Sequence, residues 1–184
     1  MKIAIIILAI IVILAIWFIG AYNGFIKLKN KIEEAFSTMD VYLKKRWDLV
    51  PNLVNAVKGY AKHEQETLAK VTEMRTKSYE SMTANEKVEA GMNLSSALSK
   101  LIATAEAYPD LKANENFVNL QNQLNQIEND IANSRKYYNG CIRQMNTKVE
   151  SFPSNIIAGM FHFEKFKMYE VEEAGERENV KVEF

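Results

Sequence analysis

A single apolar stripe runs through residues 117–152, FVNLQNQLNQIENDIANSRKYYNGCIRQMNTKVESF. Its members recur at steps of three and four: Phe117, Leu120, Leu124, Ile127, Ile131, Ser134, Tyr138, Cys141, Met145, Val149 and Phe152. That spacing, which is nearly a heptad repeat, puts them on one side of a long helix that packs against a partner helix. Leu124 and Ile131 are therefore predicted to be core residues. Glu128 lies off the stripe and is predicted to be a solvated residue that contributes little to stability.

A similar stripe lies upstream, where it begins at Phe25 and leads to a proline. The sequence Asp48-Leu49-Val50-Pro51-Asn52 predicts a break or kink in the chain. The reason is that a residue before proline avoids the α conformation, while proline itself suits the first turn of a helix. A second helix is therefore predicted over about residues 51–81.

The remaining helix ends are marked by polar residues and prolines. A third helix is predicted to begin near Asn85, without a capping box, and to stop before Pro109. Asn114 is predicted to cap the helix of the long stripe, and Pro153 is predicted to end it. A short helical piece is expected at residues 155–161.

Turn-forming residues are scarce in this chain, with 7 Gly and 3 Pro among 184 residues. Few loops and long helices follow from that scarcity. A helix of about 30 residues reaches roughly 45 Å, and short connections oblige neighbouring helices to pack antiparallel. The expected fold is all-α: an N-terminal transmembrane helix, an elongated antiparallel bundle of long helices, and a short extended C-terminal tail. The corresponding domains are an anchor at residues 1–24, the bundle at residues 25–163 and the tail at residues 164–184.

The anchor is an unbroken apolar run, IAIIILAIIVILAIWFI, from Ile3 to Ile19. No charged residue occurs between Lys2 and Lys27. A bilayer core of about 30 Å needs roughly 20 helical residues, so the run fits one membrane span. A cleaved signal peptide is the alternative interpretation. Its apolar core would be shorter, about 7–15 residues, and the exit from this run is a poor cleavage site.

Four residues are assigned to the membrane anchor. Ile3 and Ile11 lie within the apolar run, whereas Trp17 and Tyr22 lie where interfacial aromatic residues concentrate. The lipid bilayer is therefore the first expected partner. Basic residues are more numerous after the run than before it, where only Lys2 and the terminal amine stand; they are Lys27, Lys29, Lys31, Lys44, Lys45 and Arg46. The positive-inside tendency favours a cytoplasmic C-terminal domain.

The composition argues against several classes of function. Lys+Arg and Asp+Glu number 23 each, so the formal net charge is zero, whereas a nucleic-acid-binding surface needs a basic excess. The sequence contains no glycine-rich phosphate-binding motif. His63-Glu64 lacks the second histidine of a zinc-binding helix, because position 67 is Thr67, and Cys141 lies on the apolar stripe. No nucleic acid, metal, cofactor or enzymatic activity is therefore expected.

Several stretches, in order and along essentially the whole chain, resemble the LemA family. They are Tyr22-Asn23, VYLKKRWDLVPNLV at 41–54, VKGYA at 57–61, His63-Glu64, EAYPDLKAN at 106–114, Asn116-Phe117, Arg135 with Tyr138-Asn139, FPSN at 152–155 and VKVEF at 180–184. The resemblance implies a single-pass protein of a bacterial inner membrane, with a small N-terminus outside the cell and a helical antiparallel bundle. It leaves the molecular function open. A magnetosome-associated branch is similar, which by analogy suggests membrane organisation.

Two functions are compatible with these features. The first is a membrane-anchored scaffold that self-associates into a homo-oligomer and organises the membrane or its proteins. The second is an adaptor that docks another membrane protein, such as a sensor or protease, through the bundle tip. The candidate tip surface consists of two proline-containing turns, whose turn chemistry alone also explains them. They are Asp48, Pro51 and Asn52, predicted at the end farthest from the span, and Tyr108, Pro109 and Asp110, predicted at one end together with Phe152-Pro153.

Self-association is expected through amides and through the tail. The fourth predicted helix is rich in Asn and Gln, and Asn122, Asn125 and Asn129 are the candidates, because side-chain amides can bond to one another in reciprocal pairs. Plain solvation of this face is the alternative. The end of the tail alternates apolar and charged residues, and Phe184 is predicted to dock on a neighbouring subunit. A frayed terminus is the alternative there.

The apolar run yields a direct prediction about the anchor. The full chain should remain with membranes after carbonate extraction, whereas a chain that starts at Phe25 should be soluble and helical. Arg in place of Ile11 should cost about 2.5–3.5 kcal/mol of insertion free energy, because it puts a charge at the helix centre. Recovery of the full chain in the carbonate-soluble fraction would contradict the assignment.

Overall fold

The computed structural model describes residues 1–60, 65–73 and 78–169. Within these ranges the chain forms α1 (Lys2–Lys58), α2 (Gln65–Glu73), α3 (Ala84–Ala105), α4 (Pro109–Lys112), α5 (Glu115–Glu150) and α6 (Ser154–Phe161). A 3-10 turn, Tyr79–Ser81, precedes α3. The described ranges contain helices and no strand, which confirms the predicted all-α class.

The first helix is continuous from the apolar run into the bundle. Its 57 residues correspond to roughly 85 Å at about 1.5 Å per residue. Pro51 lies inside it, so the prediction of a break and of a second helix that starts there is wrong. Pro51 lacks the N–H that would bond the carbonyl four residues earlier, but Leu49, Val50 and Leu53 around it are all buried. Core packing outweighs the local preference at this position.

The caps of two later helices are well defined. Thr83 caps α3 with a complete capping box: its Oγ1 accepts from the Glu86 N–H at 3.3 Å, and Glu86 Oε2 accepts from the Thr83 N–H at 2.7 Å. The predicted start near Asn85 without a capping box is therefore corrected. Asn114 caps α5 as predicted, because its Oδ1 accepts from the Phe117 N–H at 3.1 Å.

The helices α1 and α5 form the long antiparallel pair of the bundle. Their register shows at three levels: the Lys148 ammonium stands 4.8 Å from the ring centre of Phe25, Arg46 pairs with Glu128, and Asn114 Nδ2 donates to the Tyr60 hydroxyl at 3.1 Å. The start of α5 therefore lies at the distal end of α1, and the end of α5 lies near the apolar run.

That register places two predicted turns at opposite ends of the bundle. The Tyr108–Asp110 stretch forms the start of α4 and precedes α5, so it lies at the distal end. Phe152-Pro153 follows α5 and therefore lies at the other end, beside the apolar run. The prediction that both turns share one end is wrong, because the 36-residue α5, about 54 Å long, separates them.

The apolar core has two parts along this pair. The distal part joins α1, α2, α3, α4 and α5, and its fully buried members include Leu53, Leu98, Leu101 and Leu111. The proximal part joins α1, α5 and α6 and consists of Phe25, Ile32, Ala35, Cys141, Ile142, Met145, Ile157 and Ala158. The predicted inward face of the α5 stripe is confirmed at Leu124 and Ile131 in the distal part and at Cys141 and Met145 in the proximal part. The last predicted member, Phe152, is 81% exposed, so its place on that face is wrong.

A strap follows α6, and we use that name for residues 163–169, which have no helical or strand structure. His162, in the left-handed conformation at φ 55°, ends α6 and turns the chain into the strap. Asn146 makes two bonds to the Phe166 backbone, at 2.9 Å each, and Asn139 makes two to the Tyr169 backbone, at 2.8 Å each. The strap thus runs back along α5, away from the apolar run.

The α5 stripe yields a prediction about stability. Leu124 and Ile131 are each 5% exposed, so Leu124→Ala or Ile131→Ala should lower the free energy of unfolding by roughly 2–5 kcal/mol through lost burial and a residual cavity. Gln126→Ala, on the exposed side of the same helix, should change it by no more than about 0.5 kcal/mol. Denaturant unfolding followed by circular dichroism measures both, and equal losses in the two classes would refute the assigned inward face.

Candidate functional site

Arg46 is the most deeply buried charged residue of the described chain, at 1% exposure. Its Nη1 donates to both carboxylate oxygens of Glu128, at 2.9 and 3.0 Å, and to Ser95 Oγ at 2.5 Å. Its Nη2 donates to the Gly91 carbonyl at 2.7 Å. One guanidinium on α1 therefore binds α3 and α5 together, in a setting where charge-assisted hydrogen bonds are strongest.

Glycine at position 91 permits the close approach of α3 to Arg46. A Cβ built there would lie 3.0 Å from Arg46 Nη2 and 3.1 Å from Leu43 Cδ2, tighter than ordinary van der Waals contact. A larger residue would displace the guanidinium or the helix. Because Gly91 has no side chain, α1 and α3 can lie this close together at this level.

Glu128 corrects the prediction made for it from sequence. Its side chain is 36% exposed, and it forms the ion pair with Arg46 instead of standing free in solvent. The signal that could have found this pair was present at Arg46. Positions 39, 43, 46, 50 and 53 follow steps of three and four on α1, so Arg46 occupies a core position of an otherwise apolar stripe. A charge at such a position needs a partner.

An open groove of about 850 Å³ lies between α3 and α5, with Arg46 among its lining residues. The α3 side is rich in serine, at Ser95, Ser96 and Ser99, and the α5 side carries Asn125, Glu128 and Arg135. Tyr169, at the end of the strap, also lines the groove, with the Arg135 guanidinium 5.6 Å from its ring centre. Burial raises the pKa of the Tyr169 hydroxyl above its usual value. The lining has mixed charge and suits polar contacts better than one charged ligand.

The 3-10 turn docks on the outer side of the same region of α1. Tyr79 donates its hydroxyl to Asp40 Oδ1 at 2.6 Å, and the Lys87 ammonium binds Asp40 Oδ2 at 2.8 Å. Burial and the hydrogen bond to Asp40 raise the pKa of Tyr79 well above its ordinary value. Together these contacts fasten the start of α3 to α1. The described residues contain no cluster of three His, Cys, Asp or Glu side chains that could hold a metal ion.

The first candidate tip stretch lies on one helix and not on a turn. Asp48 is exposed and pairs with Lys44 at 2.7 Å, one helical turn earlier on α1. Pro51 is half-buried and Asn52 is exposed. These three residues therefore form part of the side of α1, several residues before its distal end at Lys58.

The second candidate stretch begins α4 at the distal end. Tyr108 precedes that helix and is half-buried, with a place against the distal core. Pro109 occupies the first turn of α4, and both Pro109 and Asp110 are exposed. Proline and an acidic residue suit a helix start, so the local structure accounts for this sequence.

The amide candidates lie on exposed parts of α5. Asn122 and Asn129 are exposed and seven residues apart, which is two helical turns, so they share one side of the helix. Asn125 is exposed and lines the groove. Phe184 and His63-Glu64 lie outside the described residues.

The four anchor candidates lie on the N-terminal part of α1. Ile3, Ile11 and Trp17 are 75%, 56% and 38% exposed on a helical segment long and apolar enough to cross a membrane. Tyr22 is half-buried, and its ring packs against Phe161 of α6 with centres 4.7 Å apart.

Comparison with known proteins gives a family match over most of the chain. The LemA family model matches residues 35–184. Protein LemA of Metamycoplasma hominis is 28% identical over 169 residues, which cover 90% of this chain and 75% of that protein. Magnetosome proteins MamQ 2 and MamQ 1 of Paramagnetospirillum magneticum are each 22% identical over 181 residues, and the match covers 84% of this chain and 66% of theirs.

The Arg46–Glu128 pair yields a prediction about stability. Glu128→Ala should lower the free energy of unfolding by about 1.5–3 kcal/mol, the range for a hydrogen bond to a charged group, because it leaves Arg46 buried without its counter-ion. The double variant Arg46→Met/Glu128→Gln should lose less stability than the summed losses of Arg46→Met and Glu128→Gln, because each change removes the partner that the other leaves unpaired. Denaturant unfolding of the wild type, the two single variants and the double variant measures this coupling. Strictly additive losses would count against coupling through the pair.

Proposed function

This chain belongs to the LemA family, and from that premise we propose that it is a membrane-anchored helical scaffold. In this proposal it self-associates into a homo-oligomer that organises the membrane or proteins within it, without catalysis of its own. Two relatives are named as magnetosome proteins, and those names favour a part in a larger assembly.

The observation that carries the proposal is the continuity of α1. The lipid-facing run and the core of the bundle belong to one helix, Lys2–Lys58, with its first buried residue at Phe25. A helix without an interrupting loop transmits orientation from the membrane to the bundle, whereas a flexible linker would not. The bundle part of α1 reaches about 50 Å beyond the apolar run. Such a stiff projection suits a protein that spaces or orders its neighbours.

We place the bundle on the cytoplasmic side of the inner membrane. The exposed Lys27 and Lys29 directly follow the run, with half-buried Lys31 in the next turn, and the positive-inside tendency supports this orientation. Impermeant thiol labelling of an Asn55→Cys variant in intact cells and in inverted vesicles distinguishes the two orientations, because Asn55 is exposed on the bundle and Cys141 is buried.

The proposed contact between copies is the amide side of α5. Asn122 and Asn129 lie across the helix from Leu124 and Ile131, so they face away from the core. Asn139 and Asn146 on the same helix show what such amides do when a backbone is within reach: each bonds reciprocally to the strap. Neutral amides can approach a second copy without charge repulsion.

The oligomer provides the test. Asn122→Arg combined with Asn129→Arg should reduce the mass of the detergent-extracted particle to that of a smaller assembly, because it sets like charges against each other at the contact. The matched control, Asn30→Arg combined with Asn55→Arg on exposed positions of α1, should leave the mass unchanged. Native mass spectrometry or light scattering measures both. A monomeric wild type, or equal masses for both variants, would contradict the proposed contact.

The distal end favours a second candidate function, an adaptor for another membrane protein. Pro109 and Asp110 are exposed there. The same extraction separates the two functions: a particle with one copy of this chain and a different protein supports the adaptor, and a particle of this chain alone supports the scaffold.

A further inference from the structure

The last helix, α6, is apolar on its outer side as well as its inner side. Ile157 and Ala158 are buried against the proximal core. Ile156 and Met160 are 51% and 59% exposed, and their spacing of four residues puts them on one side of α6. Phe152, in the turn before α6, is 81% exposed. A soluble surface rarely presents several large apolar side chains so close together in the chain.

No acidic or basic residue with a permanent charge interrupts this region. The chain carries Glu150 before it and Glu164 after it, and SFPSNIIAGMFHF lies between them. The only titratable side chain in that stretch is His162, at the end of α6. Contact of this stretch with hydrocarbon therefore desolvates no permanently charged side chain; its polar side chains are Ser151, Ser154, Asn155 and His162.

The position of α6 fixes its depth relative to the apolar run. The Phe161 ring packs against Phe18, with centres 5.8 Å apart, and against Tyr22, at 4.7 Å. Phe163 stacks on Phe25 at 4.7 Å. Phe18 lies inside the run, and roughly 20 helical residues from Ile3 end at Tyr22, which is the length needed to cross the bilayer core. A helix in contact with Phe18 and Tyr22 therefore lies at the membrane boundary.

A level of charged side chains lies just beyond this boundary, where Glu150 and Lys165 form an exposed ion pair at 2.7 Å and several further basic residues stand. Lys27 and Lys29 on α1, Arg143 on α5 and Lys167 in the strap are all exposed. Lys148 lies lower, with its ammonium 4.8 Å from the ring centre of Phe25, and burial lowers its pKa. Apolar side chains at the boundary with cations above them is the arrangement of a helix that lies in a membrane surface.

We propose that α6 and the turn before it are a second membrane contact, a foot formed by Phe152, Ile156 and Met160 that inserts into the lipid of the leaflet where α1 emerges. Lipid is the occupant because α6 packs through Phe161 against Phe18, within the run, and against Tyr22, just beyond it. The proposal rests on the proposed membrane anchoring and goes beyond it: α1 holds the protein in the bilayer, and the foot sets how the bundle leans on its surface. The chain thus reaches the membrane twice, once through α1 and once through α6, which follows the return of α5 toward the run.

The test uses the full chain in vesicles of phosphatidylethanolamine and phosphatidylglycerol, with a nitroxide label at one cysteine in a Cys141→Ala background. Labels are placed at Ile156→Cys and Met160→Cys on the foot. Ile16→Cys serves as the control within the run. Val41→Cys is the matched apolar control, because Val41 is 54% exposed on α1 and lies about 28 Å beyond Tyr22. Collision with oxygen, which concentrates in lipid, is compared with collision with a water-soluble nickel complex.

The expected result is a severalfold higher ratio of oxygen to nickel collisions at the foot and at position 16 than at position 41. Foot labels that resemble position 41 would overturn the proposal while the anchoring stands. Foot labels shielded from both agents would also overturn it, because they would show a second copy of the chain on this surface. A water-exposed label at position 16 would instead refute the anchoring itself.

A charge change on the foot completes the test. Ile156→Glu with the label at Met160→Cys should shift that label toward the nickel complex, because a carboxylate resists entry into the acyl region. The label at position 16 should not respond, since α1 still spans. Val41→Glu should leave the label at position 160 unchanged. A foot label insensitive to Ile156→Glu would show that the apolar side does not hold α6 at the lipid.

Discussion

The buried guanidinium of Arg46 decides where three helices can lie. It has bonding partners on α3 and α5, and a charge at 1% exposure tolerates little displacement from them. Gly91 has to be small for α3 to reach it, and Glu128 has to stand opposite for α5 to neutralise it. The antiparallel register that this pair fixes runs from Tyr60 to Phe25, so the position of α6 beside the apolar run follows from an interaction some 30 Å away.

The register gives the two ends of the bundle different chemistry. The distal end closes with short helices, a proline and an asparagine cap. The proximal end closes with aromatic rings: Phe18, Tyr22, Phe25, Phe161 and Phe163 pack together in a chain of ring contacts. Polar residues at the distal end suit contact with water, and aromatic residues at the proximal end suit a membrane boundary. The side chains at the two ends therefore indicate which end of the bundle faces the membrane.

Periodicity predicted the parts of the fold that depend on one helix at a time. The α5 stripe, the Asn114 cap and the all-α class were readable, because steps of three and four leave few alternatives over 36 residues. The prediction of a break at Pro51 was wrong because the packing of Leu49, Val50 and Leu53 outweighs the local preference of proline. The prediction that Glu128 is a solvated residue was wrong because its partner, Arg46, lies 82 positions earlier in the chain. The α1–α5 register determines which end of the bundle each turn occupies. That register cannot be predicted from any single stretch of sequence.

The strap along α5 has a consequence of simple arithmetic. Asn139 and Asn146 are seven residues apart on a helix, which is about 10.5 Å, and their partners Tyr169 and Phe166 are three residues apart in extended chain, which is about 10 Å. These two distances match closely, so both asparagines can bond to the strap backbone at the same time. A slip of one residue along the strap would satisfy neither asparagine, so this pairing fixes the register of the strap on α5. Side-chain amides of a helix can therefore align a non-helical neighbour, here together with ring contacts such as that of Phe163 with Phe25.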